Sequence, residues 1–144
     1  LKILDVCCYV GQWAGHATHA VGTLGARASA VLLDASESAL AFAERNVRAL
    51  GADVQPLKAD ALEHLGTLEP ASFDIVICDP PAFVKKKADV DAGVRAYAKI
   101  NREAMKLLKP GGLYVASSCS GLVKAEDWQR VLAEASLKSG RGFV

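Results

Sequence analysis

Phe73-Asp74-Ile75-Val76-Ile77-Cys78-Asp79-Pro80-Pro81-Ala82-Phe83 is the stretch on which the reading of this chain turns. Phe73 to Cys78 is an apolar run of strand length, and its isoleucines and valine favour a buried strand over a helix segment. Asp79 closes the run. Pro80-Pro81 stops it, because proline brings no backbone donor to a ladder and holds φ at about −65°. A second stretch repeats the pattern, with Leu113 to Ser117 followed by Ser118-Cys119-Ser120-Gly121. In open α/β sheets, ligands bind outside the carboxyl ends of the strands, so one strand end offers a carboxylate and the other a thiol where chemistry is expected.

The rest of the chain alternates in the same rhythm. Lys2 to Cys8 reads as a strand, Trp13 to Leu24 as a helix after the Gly11 turn, and Ala28 to Asp34 as a strand bounded by Gly25. Ser36 caps a helix running to about Leu50, with Ala39, Leu40, Ala43, Val47 and Leu50 at helical spacing and Gly51 as its stop. Val54 to Lys58 follows as a strand, Ala61 to Leu65 as a short helix and Phe73 to Asp79 as the fourth strand. Arg95 to Leu108 is a helix ended by Pro110-Gly111-Gly112, Leu113 to Ser117 the fifth strand, and Ala125 to Lys138 the last helix. This β-α-β-α order predicts an α/β fold with a doubly wound, mainly parallel sheet and helices on both faces.

The 144 residues fit one domain, 1–144, and 51% hydrophobic with 23% charged residues is an ordinary globular composition. Seventeen basic against sixteen acidic side chains leave a net charge of +1, so no overall charge footprint marks a nucleic-acid binder. Cys7, Cys8, Cys78 and Cys119 have none of the paired spacings that hold zinc, and three of them fall in apolar strand-like runs. With neither a signal-peptide pattern nor an apolar run near the roughly 20 residues that span a bilayer, the expectation is a cytoplasmic protein without a membrane partner. The chain opens at Leu1 already in a strand pattern and stops at Phe143-Val144 as another strand starts, the expectation being a fragment of a longer protein.

Around the first turn, Leu4-Asp5-Val6-Cys7-Cys8-Tyr9-Val10-Gly11 leads into a helix amino terminus, which suits a nucleotide or a carboxylate as well as a plain strand-to-helix turn. It is not G-x-G-x-x-G, which disfavours a dinucleotide. Asp34 ends the second strand roughly 20 positions after Gly11, the separation at which an acid meets a ribose diol, although capping the next helix with Ser36 is its plainer role. Asp60 can accept from an adenine amino group or cap a helix. These acids surround a nucleoside without a phosphate cradle, which favours S-adenosyl-L-methionine over a nicotinamide dinucleotide. Cys119 lies by a loop and close to a helix start, a setting that can expose a thiol and lower its pKa, whereas Cys7, Cys8 and Cys78 read as packing residues. Lys85-Lys86-Lys87 reads as a solvated charge run that can also touch substrate phosphates. Arg95, Tyr97 and Asn101 can face the pocket from the following helix, and His16, His19 and His64 read as structural.

Cys8-Tyr9-Val10-Gly11-Gln12-Trp13, Asp79-Pro80-Pro81-Ala82-Phe83, Arg95-Ala96-Tyr97-Ala98-Lys99-Ile100-Asn101 and Ser117-Ser118-Cys119-Ser120-Gly121 together resemble the class I ribosomal-RNA methyltransferases that modify carbon 5 of cytosine in large-subunit RNA. That resemblance, which covers nearly the whole chain, implies a Rossmann-like catalytic domain completed by two strands beyond Val144, and an amino-terminal PUA domain in the full protein. It implies cofactor held around Tyr9, Gly11, Asp34 and Asp60, Cys119 as nucleophile, and ribosomal RNA as substrate. Asp79, in the rigid proline loop, is expected to complete the cofactor site beside the transferred methyl and to hold the base by its amino edge and ring nitrogen. The family usually has Thr-Gly-Gly-aromatic where this chain has Val10-Gly11-Gln12-Trp13, which exchanges one glycine for a residue with fewer backbone conformations. Two other readings stand beside it: an amino-methyltransferase in which Phe83 stacks on the base by the Asp79-Pro80-Pro81 loop, and a noncatalytic RNA-binding module.

Overall fold

The computed structural model describes residues 1–142; the strand start expected at Phe143-Val144 lies outside the described residues. Five strands form one sheet: β1 (Lys2–Val6), β2 (Ser29–Asp34), β3 (Asp53–Lys58), β4 (Phe73–Cys78) and β5 (Leu108–Ala116). Their order is β3-β2-β1-β4-β5 and every neighbouring pair is parallel. The chain winds outward from β1 to β3, then crosses back to β4 on the other side of β1. The switch point between β1 and β4 is where such sheets open a crevice.

Alternation along β1 assigns the two faces. Ile3 points with Ala30, Leu32, Val54 and Ile77 toward α1 (Gln12–Thr23) and α2 (Glu37–Arg48), whose Ala14, Val21, Leu40, Ala43 and Val47 complete that core. Leu4 and Val6 point the other way with Val31, Leu33, Val76 and Cys78, covered by α3 (Ala61–His64) and α4 (Val90–Lys106) through Ala61, Ile100 and Ala104. The last helix, α5 (Ala125–Ser139), packs on α4, with Val131 buried beside Tyr97 and the Trp128 ring edge-on to that of Tyr97 at 5.3 Å.

Most element boundaries fall within two residues of expectation, and three of the differences have a visible physical cause. β1 ends at Val6 rather than Cys8, because Cys7 and Tyr9 adopt left-handed φ of 61° and 48° that no strand accommodates. α4 begins at Val90, five residues before Arg95. Gly93 obscures that start in the sequence, yet it is required by packing: a Cβ there would meet Val84 Cγ2 at 2.3 Å and the Phe83 carbonyl oxygen at 3.0 Å. β5 begins at Leu108 and runs through Pro110-Gly111-Gly112, which the sheet absorbs as a register shift between Phe73↔Leu108 and Ile75↔Leu113. An outer strand tolerates such a proline because its missing donor can face solvent.

Candidate active site

Register aligns the chemistry. Val6 pairs with both Leu33 and Cys78, and Cys78 pairs with Ala116. The next residues on the four strands, Cys7, Asp34, Asp79 and Ser117, therefore form a row across the carboxyl edge of the sheet. Backbone bonds extend the ladder to this row: Asp79 N–H donates to Val6 O at 3.3 Å and Ser117 N–H to Cys78 O at 3.0 Å. Above the row lies an open cleft of ≈ 480 Å³ lined by Cys7, Tyr9, Asp34, Asp60, Asp79, Pro80, Pro81, Phe83 and Cys119 among others. Five of the six residues singled out in the sequence converge there: Tyr9, Asp34, Asp60, Asp79 and Cys119.

Gly11 is the sixth and it does not line this cleft. With φ of 79° it caps α1, and a Cβ on it would come within 3.0 Å of Ala43 Cα and Val47 Cγ2, so its bareness lets α1 start against α2. Gln12, at the exchanged glycine position, is the first helical residue and has no positive φ, so the substitution costs the backbone nothing there.

The turn after β1 is organised by two carboxylates. Asp34 accepts the Tyr9 N–H on Oδ2 and the Ser36 N–H on Oδ1, each at 2.9 Å, while each oxygen keeps a lone pair for a ligand diol. The bonds Asp34 makes to the backbone therefore leave it acceptor capacity on the cleft side. The left-handed Tyr9 leaves its ring 70% exposed at the cleft mouth. Asp60 caps α3, accepting from Leu62 N–H at 2.8 Å, and still lines the cleft.

Asp5 is the organising residue that sequence reasoning passed over. It is fully buried, accepts the Ala14 N–H of the first α1 turn on Oδ2 at 2.9 Å, and leaves Oδ1 without a partner. Burial, with help from the charges of Asp79 and Asp34, raises its pKa to about 7 against the single opposing bond from Ala14. The signal was visible, since Asp5 is the lone acid inside the apolar Ile3–Val6 segment.

Two thiols face the cleft, and their surroundings separate them. Cys7 is half-buried, and desolvation together with the carboxylates around it pushes its thiol up to about 12, so it stays protonated and unreactive near neutrality. The strand assignment of Cys7 as packing alone therefore needs correction, since it stands past the strand and walls the cleft. Cys8 and Cys78 are buried, as expected, and burial raises both thiols. Cys119 is exposed on the loop after β5.

A hydroxyl pair ties the two chemistry-bearing loops together. The buried Tyr97 hydroxyl lies 2.7 Å from Ser120 Oγ and accepts the Phe83 N–H at 3.3 Å, while Ser120 Oγ accepts the Val84 N–H at 3.2 Å. The Pro80-Pro81 loop and the Cys119 loop are so held at a set spacing. Tyr97 works from beneath rather than facing the pocket, and Asn101 is buried under it, donating to Tyr97 O at 2.8 Å and accepting from Tyr114 at 2.7 Å.

The donor set tests what the cleft can hold. Three carboxylates line it and no lysine, arginine or histidine does. A pyrophosphate would meet only like charge, whereas a nucleoside carrying a positive centre would find acceptors for its diol and amino groups and a favourable potential. A doubly wound parallel sheet with acids at the ends of β2 and β4 around such a cleft defines a Rossmann-like methyltransferase fold.

The chain belongs to the family described as the methyltransferase domain, whose profile matches residues 1–140. It is similar to ribosomal RNA large subunit methyltransferase I of Shewanella amazonensis, with 38% identity over 97% of this chain and 35% of that protein. The namesake from Serratia proteamaculans is 32% identical over the same shares. The chain thus spans about a third of the length of these relatives. Among solved structures it resembles NSun6 from Pyrococcus horikoshii with SFG, at a TM-score of 0.66 and 22% identity over 83% of this chain and 34% of that one. An S-adenosylmethionine dependent methyltransferase from Mesorhizobium loti matches at a TM-score of 0.53 and 26% identity, over 82% of this chain and 46% of that one. No helix among the described residues is long and apolar enough to cross a membrane.

Proposed function

We propose that this domain is the catalytic part of an S-adenosylmethionine-dependent RNA methyltransferase acting on carbon 5 of a cytosine in large-subunit ribosomal RNA. The reading rests on one observation above the rest: the exposed Cys119 thiol shares a cleft with Asp79 and Pro80-Pro81, while the other thiol there, Cys7, is held protonated. The names of the relatives support an RNA substrate. S-adenosylmethionine, when bound, supplies an electrophilic methyl on a sulfonium to carbon 5. Asp34 holds its ribose hydroxyls, Asp60 its adenine edge, and Tyr9 covers it from the cleft mouth.

The target base must leave its stack to enter the cleft. Asp79 holds the base by accepting from its exocyclic amino group on one oxygen, while its other oxygen faces ring N3, an acceptor in neutral cytosine that becomes a donor to Asp79 once it takes up a solvent proton as the thiolate adds to carbon 6. The Cys119 thiolate adds to carbon 6, forming an S–C bond and turning the 5,6 double bond into an electron-rich, enamine-like carbon 5. After carbon 5 is methylated its proton goes to a base, the double bond re-forms, and Cys119 leaves as thiolate. Full-length protein incubated with S-adenosylmethionine and RNA containing 5-fluorocytosine is expected to trap a covalent adduct at Cys119, since fluorine blocks that last elimination. An adduct that persists in Cys119→Ala refutes the assignment.

The cleft itself is acidic, so the polyanion must be held elsewhere. Lys85, Lys86 and Lys87 are exposed two residues beyond the cleft-lining Phe83, and among the described residues their one ion pair is a loose one from Lys86 to Asp89 at 4.0 Å. Replacing all three by glutamine is expected to weaken RNA binding and to reduce the slope of log affinity against log salt by about 2, at roughly 0.7 per single-strand phosphate contact. An unchanged slope in a salt titration would mean the run is only solvated surface.

A further inference from the structure

Asp79 is gripped from behind. Trp13 Nε1–H donates to its Oδ2 at 2.9 Å and the Ser117 hydroxyl donates to its Oδ1. The donors come from separate elements, Trp13 from the first turn of α1 and Ser117 from the residue after β5, and neither lines the cleft that Asp79 faces. A carboxylate offers about four lone-pair sites, so one donor on each oxygen leaves one acceptor site per oxygen for the cleft side. Packing does not account for Trp13, which is 46% exposed and belongs to none of the buried clusters.

We infer that Trp13 and Ser117 are positioning residues that fix the rotation of the Asp79 carboxylate, so that one oxygen accepts from the amino group of the target base and the other is in plane to accept from ring N3 when that nitrogen is protonated during addition at carbon 6. The inference rests on the role proposed above for Asp79. It assigns the indole N–H a task that a phenyl ring at position 13 cannot perform, and hydrogen bonds to a carboxylate are among the stronger and more directional ones. A freely rotating carboxylate would meet the base edge in the right plane only part of the time, which lowers the rate of the chemical step rather than the affinity for the methyl donor.

Trp13→Phe in the full-length protein keeps a ring and removes the donor. Its single-turnover methyl transfer is expected to fall about tenfold, with S-adenosylmethionine affinity by calorimetry and the thermal midpoint unchanged. Ser117→Ala should show the same split, and Ser117→Thr, which keeps the hydroxyl, should recover most of the loss. Wild-type turnover in Trp13→Phe, or a fall in donor affinity that matches the fall in turnover, overturns the inference. A second measurement is independent of turnover: the Trp13 indole 15N–1H resonance should move in Asp79→Ala, and a resonance that stays put overturns the clamp. If the wild-type protein transfers no methyl to RNA, the functional reading fails and this resonance alone decides the clamp.

Discussion

Cys119→Ala is expected to lower methyl transfer to RNA by ~10⁴-fold or more, the scale on which enzymes lose activity when a covalent nucleophile is removed. S-adenosylmethionine should still bind within about twofold of wild type, because the residues proposed to hold it, Tyr9, Asp34 and Asp60, belong to the β1, β2 and β3 ends, and Cys119 to the loop after β5. Stability should hold as well, since Cys119 is exposed and belongs to none of the buried clusters. Single-turnover kinetics with donor calorimetry on the same preparations check both halves. An amino-methyltransferase predicts the opposite, near-normal turnover without the thiol, with the base stacked on Phe83. Phe83 lines the cleft, but its ring is already engaged with that of Tyr97 at 4.8 Å, which limits how freely it can stack. A noncatalytic module predicts no donor binding by the intact wild-type protein.

The pH dependence of stability should carry the signature of Asp5. Its pKa is raised by burial from the usual 3.8 to about 7, so the folded state binds a proton that the unfolded state has released. The resulting stabilisation is complete below about pH 4, declines as pH rises, and is lost above about pH 7, amounting to roughly 4 kcal/mol over that window by linkage. Asp5→Asn removes the titration while its amide oxygen can still accept the Ala14 N–H. Its amide nitrogen then stands where Oδ1 has no partner, at a constant cost of about 1–3 kcal/mol. The expected outcome is a flatter stability profile, with the mutant gaining on wild type as pH rises from 4 to 8. Denaturant melts across that range test it, and parallel profiles for the two proteins would remove Asp5 from the account.

Much of this architecture was legible because parallel sheets buried on both faces leave near-continuous apolar runs, and turns leave glycine and proline between them. Asp79-Pro80-Pro81 and Ser118-Cys119-Ser120 could be read as strand ends for that reason, and the helix from Ser36 declared itself through its cap and spacing. The misread starts of α4 and β5 share one cause. Gly93 within α4 and Pro110-Gly111-Gly112 within β5 look like local stops, yet a tertiary neighbour, Val84 in one case and β4 in the other, makes each of them compatible with the element that contains it.

The periodicity of the apolar residues was enough to specify a doubly wound sheet and the identity of the acids and the thiol at its carboxyl edge, because those depend on local chain chemistry. Which groups meet each other depended on register and on distances across the fold. Trp13 and Asp79 are separated by 66 positions and Tyr97 and Ser120 by 23, yet each pair is joined by a hydrogen bond. The folded chain alone turns Cys7 into a cleft wall with a suppressed thiol, sends Gly11 against α2, and buries one Asp5 oxygen without a partner, since desolvation and charge are properties of the three-dimensional surroundings and not of neighbours in sequence.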